Sequence, residues 1–419
     1  MKAVRNTIII ILAVLCVGSI GVFVWKSAKT ADPAQEIIPE VVAEPIVTEE
    51  SVSDSDAAAR ATDPETEVAP IVTEMQENEP EDPVLQQAEE ILGEMTLEEK
   101  VGQMFIARCP EADAAAKVTE YHLGGYILFG RDFTGKTRDE ITDNIQSYQD
   151  AAAIPLLIGV DEEGGTVNRV SKNTELRATP FASPQKLYAE GGWDLIRSDT
   201  QEKCALLHSL GINLNFAPVC DVSTDTNDFI YARSFGQDAE QTAAYIKLVV
   251  ETMSEASMGS VLKHFPGYGN NTDTHTGIAY DERPYETFVN SDFLPFQAGI
   301  DAGAGMVLVS HNVVSCMDAQ SPASISPAVH TILREDLGFD GVIITDDLVM
   351  EGVKQFAGDE EIAVRAVQSG NDMLCCTDFE VQVPAVIQAV QNGEISEERI
   401  EESVLRILRM KIALGIITS

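Results

Sequence analysis

Positive charge is scarce in this sequence. The 419 residues contain 28 Lys and Arg against 68 Asp and Glu, which gives a formal net charge of −40 at pH 7. No basic face could be assembled from so few cations to neutralise phosphates, and this argues against a nucleic-acid partner. An anionic surface suits solubility outside a cell.

Cysteine is also limited, and its spacing carries no metal pattern. One of the seven cysteines, Cys16, lies in an N-terminal apolar run, and the other six are Cys109, Cys204, Cys220, Cys316, Cys375 and Cys376. Their spacing matches no zinc motif, so we predict no metal site and no cofactor. We expect most of them to be buried as small apolar side chains. An exported location would permit a disulfide, although the spacing assigns none.

The N-terminal residues have the features of a membrane-targeting segment. Lys2 and Arg5 precede an uncharged, mostly apolar run from Thr7 to Trp25, and about 20 residues of helix cross a bilayer. We predict an anchor over residues 1–30 that holds the protein at the extracellular face of the cell membrane. The alternative is a cleaved signal and a secreted protein, but "KSAKTA" matches a cleavage site only weakly. Lipidation of Cys16 is disfavoured, because a lipoprotein signal would have a small residue before it.

Residues 31–85 lack aromatic side chains and carry sixteen Asp or Glu against a single basic residue, Arg60. The segment is rich in proline and repeats "PIVTE". Such a composition cannot collapse, and the like charges keep the chain extended, so we predict a disordered acidic linker. The alternative is that the acidity binds a specific basic partner.

The remaining residues, 86–419, contain eight short apolar runs separated by helical stretches. The runs are "MFIARC", "GGYILFG", "PLLIGVD", "INLNFAPV", "SVLKHF", "GMVLVSH", "GVIITDD" and "DMLCCT". Near-continuous apolar strands between helices are typical of a parallel sheet covered on both faces. Eight such units predict one catalytic domain with an α/β fold, the (β/α)₈ TIM barrel, and a doubly wound sheet is the alternative. Thr96 and Glu99 have capping-box spacing near the start of the domain.

Polar residues stand where most of the predicted strands end. They are Asp161, Asp221, Lys263 with His264, His311, and Asp346 with Asp347. In a TIM barrel the active site lies at the carboxyl ends of the strands. Any single Asp there could be a helix N-cap, but five strands that end in this way predict a functional site.

Two of the motifs could carry catalysis. In "GVIITDDLVMEG" the strand delivers Asp346 to the barrel mouth directly before a predicted helix, where a carboxylate stays ionised and can act as a nucleophile. The alternative is that Thr345 or Asp346 only caps that helix. In "KHFPGYGNNTDTHTG" Asp273 and His275 can hydrogen-bond, which makes His275 a proton donor and later a base. Together they predict two-step, retaining glycoside hydrolysis. An Asx-turn with a surface His is the alternative for this loop.

Sugar binding requires charged groups that hold several hydroxyls at once. Asp161 could accept two hydroxyl hydrogen bonds, and Arg169 in "VDEEGGTVNRV" could reach back toward the ligand. Arg233 in "YARSFG" and Lys263 with His264 complete the predicted substrate-binding set. The alternative for each of these residues is a buried ion pair between loops.

At these residues the sequence resembles a known family. The motifs "VDEEGG", "FAPVCDV", "ARSFG", "KHFPGYG", "DTH" and "LREDLGFDGVIITDDLVMEG" are similar to those of family 3 glycoside hydrolases, in particular the single-domain β-N-acetylhexosaminidases of the NagZ type. The resemblance runs from about Leu85 to Ser419, with the motifs in the family's order. Tyr268 and Val349 depart from the pattern, since a second His and a small polar residue are usual there. The interval from Lys263 to the Asp-His pair also looks one residue shorter than usual.

The resemblance implies roles for these residues. It makes Asp346 the nucleophile of a covalent glycosyl intermediate and His275 the acid/base partnered by Asp273. Asp161, Arg169, Arg233, Lys263 and His264 would bind the terminal N-acetylglucosamine. Members with a second domain often take the acid/base from it, and we expect none here after "RILRMKIALGIITS".

We therefore expect a retaining exo-β-N-acetylglucosaminidase that acts on peptidoglycan fragments or related glycans of the cell wall. The enzyme alternatives are a phosphorylase, which uses phosphate in place of water, and a β-glucosidase or β-xylosidase. The non-enzyme alternative is a wall-binding scaffold that kept the barrel. The sequence gives no basis for an oligomer, and we expect a monomer.

Overall fold

The computed structural model describes residues 82–271, 277–356 and 362–418. The predicted anchor, the linker up to residue 81, and the predicted catalytic pair Asp273 and His275 lie outside the described residues. Within these three ranges, no helix combines the length and the apolar character needed to cross a membrane.

Eight parallel strands form one sheet that curves into a barrel. They are β1 Phe105–Arg108, β2 Gly125–Leu128, β3 Leu157–Val160, β4 Leu214–Asn215, β5 Gly259–Phe265, β6 Met306–Val309, β7 Val342–Thr345 and β8 Leu374–Cys376. Their order in the sheet is β8, β1, β2, β3, β4, β5, β6, β7. A parallel bridge between Ile344 and Met373 joins β7 to β8. The predicted TIM barrel is confirmed, and one strand coincides with each of the eight apolar runs, to within one residue at the start of β5.

Helices connect the strands on the outside of the barrel. The α-helices are Pro83–Glu94, Leu97–Gln103, Ala114–Tyr121, Gly130–Phe133, Arg138–Ala151, Pro184–His208, Ala239–Glu255, Tyr285–Thr287, Phe293–Asp301, Pro327–Thr331, Glu351–Lys354, Ile362–Gln368, Phe379–Gln391 and Glu397–Ala413. Phe288–Asp292 and Ile332–Asp336 are π-helical, and Ala323–Ile325 is a 3₁₀ turn. The two-residue strands Tyr280–Asp281 and Val313–Val314 pair outside the barrel.

The first described helix begins slightly before the predicted domain boundary at residue 86. Asp82 caps it, since its Oδ1 accepts from the Val84 amide at 3.0 Å and the Leu85 amide at 3.2 Å. Residues 83–85, which we assigned to the disordered linker, are therefore helical. The predicted capping box is confirmed: the Thr96 amide donates to Glu99 Oε2 at 2.8 Å, and the Glu99 amide donates to Thr96 Oγ1 at 3.3 Å.

Apolar side chains fill both faces of the sheet. Every residue of β2, β3, β6 and β7 is buried, as expected for parallel strands covered by helices. Five of the six cysteines in the described part of the chain are buried, as predicted, and all six are free thiols. Cys316 is the exception, because it is exposed.

Candidate active site

A cavity of about 450 Å³ opens at the carboxyl ends of the strands. Its lining includes the predicted residues Asp161, Arg169, Arg233, Lys263, His264 and Asp346. The same wall contains Arg108, Ile127, Phe129, Glu163, Val167, Phe216, Phe229, Tyr268, Leu308, Asp347, Val349, Met350 and Cys375. The structure thus brings together all six predicted site residues that it describes, from the ends of four different strands and the loops that follow them.

Four charged side chains form a continuous network in this cavity. Lys263 Nζ lies 2.7 Å from Asp161 Oδ1 and 2.7 Å from Glu163 Oε1. Arg233 donates through Nε and Nη2 to the two oxygens of Glu163, at 3.0 and 2.8 Å. Such a bidentate pair fixes both side chains in one geometry. These residues therefore form the ion pairs that the alternative describes, and they also line the cavity.

The network keeps Glu163 and Lys263 ionised although both are buried. Burial by itself would raise the pKa of Glu163, but the charges of Lys263 and Arg233 outweigh it and lower that pKa below its ordinary value. Burial likewise opposes the charge of Lys263, and the carboxylates of Asp161 and Glu163 raise its pKa in spite of this. The cavity therefore presents fixed charges.

His264 is held from both of its ring nitrogens. Nδ1 lies 2.7 Å from Asp221 Oδ2, and Nε2 lies 3.1 Å from Arg233 Nη2. A carboxylate accepts and a guanidinium donates, so this pattern places the proton on Nδ1. Asp221 also accepts from the Tyr268 amide at 2.7 Å. Asp221 is absent from the cavity lining, so its role is to orient His264.

The end of β5 turns both Lys263 and His264 toward the cavity. Consecutive residues of a regular strand point to opposite faces. Here the pairing of β5 with β6 shifts register between Leu262 and Phe265, and an irregularity of this kind redirects side chains. The apolar pattern of the sequence could not indicate this shift.

Arg169 folds back to the cavity, where its guanidinium lies beside Asp161. The buried carboxylate of Glu162 accepts from the backbone amides of Arg169 at 2.8 Å and Val170 at 2.7 Å, which folds the loop after β3 back on itself. Arg169 Nη2 then lies 3.8 Å from Asp161 Oδ2. Its guanidinium also lies 5.7 Å from the centroid of the Phe129 ring.

Asp346 and Asp347 follow β7, and the helix predicted to start there is absent. Residues 346–350 form a turn, and the next helix begins only at Glu351. The turn is held by Asp347, whose Oδ1 accepts from the amides of Val349 and Thr377, each at 3.1 Å. The prediction that a helix N-terminus keeps Asp346 ionised is therefore wrong, and so is the alternative that Thr345 or Asp346 caps that helix. Instead, the Asp347 amide donates to Asp346 Oδ1 at 2.8 Å.

His311 supports the site from behind. Its ring is fully buried. Nδ1 lies 2.7 Å from Ser324 Oγ, and Nε2 lies 3.1 Å from the carbonyl oxygen of Asp347. The residue does not line the cavity, so its strand-end position serves to hold the turn after β7.

Sequence reasoning missed several cavity residues. Arg108 is the last residue of β1, and Asp161 directly follows β3. The position of Arg108 at the end of the run "MFIARC" could therefore have indicated a cavity residue. Its guanidinium lies 4.5 Å from the centroid of the Phe129 ring. Glu163 was not among the predicted binding residues. Phe229 lies in a loop without periodicity, and nothing in the sequence marks it.

Residues 96–410 match the family model described as the glycosyl hydrolase family 3 N terminal domain. The chain belongs to this family. The match covers most of the barrel and includes both predicted catalytic motifs. The family resemblance predicted from the motifs is confirmed, and so is the enzyme class, a glycoside hydrolase.

Relatives in this family are identical to the chain at about a third of the aligned positions. It is 32% identical over 326 residues to the β-hexosaminidase LpqI of Mycobacterium tuberculosis, covering 75% of this chain and 82% of LpqI. It is 36% identical over 232 residues to a β-hexosaminidase of Xanthomonas campestris, covering 54% of this chain and 69% of that one. A solved family 3 β-N-acetylglucosaminidase from Paenibacillus sp. FPU-7 is similar with a TM-score of 0.72 and 32% identity, covering 78% of this chain and 64% of that chain, just under two thirds.

Proposed function

We propose that the chain is a retaining exo-β-N-acetylglucosaminidase. It releases terminal β-linked N-acetylglucosamine from cell-wall fragments such as those of peptidoglycan. The observation that carries the proposal is that Asp346 shares one cavity with a fixed network of charged side chains, in a family 3 barrel. The names of the relatives, β-hexosaminidase and β-N-acetylglucosaminidase, support the sugar.

Asp346 is the nucleophile in this proposal. A carboxylate oxygen attacks the anomeric carbon as the bond to the leaving oxygen breaks, which forms a glycosyl ester with inverted configuration. The hydrogen bond from the Asp347 amide at 2.8 Å supports this role, since it orients the Asp346 carboxylate. Attack of water on the ester inverts the anomeric carbon again, so the overall configuration is retained.

His275 is the acid and then the base. Protonated and paired with Asp273, it gives its proton to the leaving oxygen in the first step and takes a proton from the attacking water in the second. This part of the proposal rests on the sequence motif "DTH" and its place in the family pattern, because both residues lie outside the described ranges.

The network positions the sugar before any bond changes. Asp161 faces the cavity with acceptors, and Lys263, Arg169 and Arg233 face it with donors, while His264 lines the same wall beside Arg233. Because the ion pairs hold these groups in place, binding a hydroxyl requires little rearrangement, which favours the oriented complex.

The location is proposed from the N-terminal sequence. The apolar run from Thr7 to Trp25 after two basic residues supports an anchor, with the catalytic barrel outside the cell on the acidic linker. Cleavage of the segment would give the same enzyme as a secreted monomer. Either location gives it access to the cell wall.

The deciding experiment compares p-nitrophenyl β-N-acetylglucosaminide with the matching β-glucoside, with and without phosphate. Cleavage of the first alone, independent of phosphate, is the expected result. The Asp346→Ala variant is the control that excludes a contaminating enzyme. Dependence on phosphate would identify a phosphorylase, and preference for the glucoside would identify a β-glucosidase. Inactivity on both substrates would favour the wall-binding scaffold.

A further inference from the structure

One aromatic ring stands exposed at the rim of the catalytic cavity. Among the residues described, five large apolar side chains are exposed: Phe229, Tyr280, Val289, Leu294 and Val381. Of these five, Phe229 lines the cavity, and the residue is 40% exposed. A single exposed apolar side chain is ordinary on a protein surface, but ligand pockets are lined largely by apolar and aromatic side chains, so a ring at the mouth of this cavity is placed to contact a ligand.

The ring is held in place from its own loop. Ile230, the next residue, is fully buried in a small cluster with Val219 and Tyr268. Within the loop, Ser223 Oγ donates to Asp228 Oδ2 at 2.7 Å, and the Arg233 amide donates to the Ile230 carbonyl at 2.9 Å. The exposure of Phe229 therefore does not come from an unsupported loop.

Two further rings continue inward from Phe229. Its centroid lies 5.8 Å from that of Tyr268, and the Tyr268 centroid lies 5.3 Å from that of His264 in an edge-on arrangement. Tyr268 is buried, and the structure thus backs the exposed ring with a second aromatic ring. Aromatic pairs at such centroid distances stabilise each other.

The cavity is chemically divided between its interior and this rim. The charged network of Asp161, Glu163, Arg233 and Lys263 is suited to the hydroxyls of the reacting sugar. A sugar ring also has apolar C–H faces, and these pack against aromatic faces. Because Phe229 is exposed at the mouth, it meets the part of the substrate that extends outward from the reacting sugar, which is the leaving group.

We propose that Phe229, backed by Tyr268, is the binding surface for the leaving-group sugar and makes the enzyme prefer leaving groups that carry a ring. This inference rests on the proposed glycosidase function. It assigns a specificity role to a residue that takes no part in bond breaking. Tyr268, which departs from the family pattern, contributes by supporting the ring from below.

The test measures kcat/KM of the wild-type enzyme and of the Phe229→Ala and Phe229→Trp variants on two substrates. N,N′-diacetylchitobiose has a sugar as leaving group, whereas β-N-acetylglucosaminyl fluoride has none that can stack. We expect Phe229→Ala to lower kcat/KM about fivefold for the disaccharide, mainly through KM, and less than about twofold for the fluoride. Phe229→Trp should keep the wild-type preference, because it restores an aromatic face.

Leu294→Ala is the matched control, since Leu294 is similarly exposed, at 38%, but lies on the outer helix Phe293–Asp301. It should leave both substrates unchanged. Equal losses on both substrates, or no loss on the disaccharide, would overturn the proposal. Failure of the glycosidase function itself would look different, because the wild-type enzyme would then cleave neither substrate.

Discussion

At the scale of single residues, two adjacent carboxylates have different surroundings. Burial raises the pKa of Asp347, and hydrogen bonds from Thr377 and Val349 oppose this rise. Thr377 Oγ1 donates to Asp347 Oδ2 at 2.6 Å, which ties Asp347 to the end of β8. Asp346 receives the Asp347 amide on one oxygen. The structure therefore gives Asp347 a positioning role beside the proposed nucleophile.

Replacing each carboxylate in turn should separate these roles. We expect Asp346→Asn to lower kcat to below about one thousandth of the wild-type value, since an amide is a poor nucleophile. Asp347→Asn can still accept from the two amides, and we expect a loss within about tenfold. The measurement is kcat together with mass-spectrometric detection of a covalent adduct from a fluorinated glycoside. An adduct that persists in Asp346→Asn and disappears in Asp347→Asn would make Asp347 the nucleophile and Asp346 the positioning residue.

At the scale of elements, the loop after β3 carries three of the charged cavity residues and turns through a glycine. Gly164 has φ of +101°, and a Cβ there would lie 2.3 Å from the carbonyl oxygen of Ala182. Side chains are disfavoured in this conformation, and the neighbouring atom is backbone that cannot rotate away. The loop is thus positioned by close backbone contact, and Glu163 and Arg169 depend on it.

We predict that Gly164→Ala destabilises the protein by about 1–3 kcal/mol and lowers kcat/KM, because the loop must move to admit the methyl group. Gly93→Ala is the control. Gly93 lies near the end of the helix Pro83–Glu94, and a Cβ added there would have nothing within 4 Å, so alanine should be neutral or stabilising by up to about 1 kcal/mol. Urea unfolding and kcat/KM report the two effects. Equal behaviour of the two variants would count against the role of Gly164.

At the scale of the whole molecule, a buried lysine joins the last helix to the helix before β1, at the end of the barrel away from the active site. Lys411 is fully buried, and its Nζ donates to Gln103 Oε1 at 2.7 Å. Gln103 in turn donates to the His122 carbonyl at 3.0 Å. Burial lowers the pKa of Lys411 to about 7. A charge at this position therefore destabilises the folded state.

The sign of the resulting pH dependence follows from the two pKa values. The unfolded chain has an ordinary lysine pKa of about 10.4, so between pH 7 and pH 10 it binds more protons than the folded protein at this site. The stability of the wild-type protein therefore falls as the pH is lowered through this window, and the loss is complete below about pH 7.

We predict that Lys411→Met changes the free energy of unfolding more favourably at pH 7 than at pH 10. The change should differ by up to about 1.4 kcal/mol for each pH unit between these values. The loss of the hydrogen bond to Gln103 adds a cost that does not depend on pH. Denaturant unfolding at several pH values measures the difference. Lys247→Met is the control, because the Lys247 side chain is 61% exposed. Its effect on the free energy of unfolding should not change with pH. If the effect of Lys411→Met is also independent of pH, the prediction is refuted.

Much of this fold was determined by the sequence alone. Each apolar run became a strand, and the Thr96 capping box formed, because burial pattern and capping depend on residues close together in the chain. The strand-end residues Asp161, Lys263 and Asp346 were predicted to meet, because parallel strands in a barrel all end on one face.

Only the tertiary structure decided which of these residues touch. Glu163 and Arg233 are 70 positions apart, and their ion pair depends on where two loops cross above the barrel. The helix predicted after Asp346 is replaced by a turn, because the Asp347 carboxylate binds Thr377 on a neighbouring strand end. Phe229 reaches the cavity through loop geometry. No local pattern encodes such contacts, since they form between segments that are distant in the chain and become neighbours only when the barrel closes.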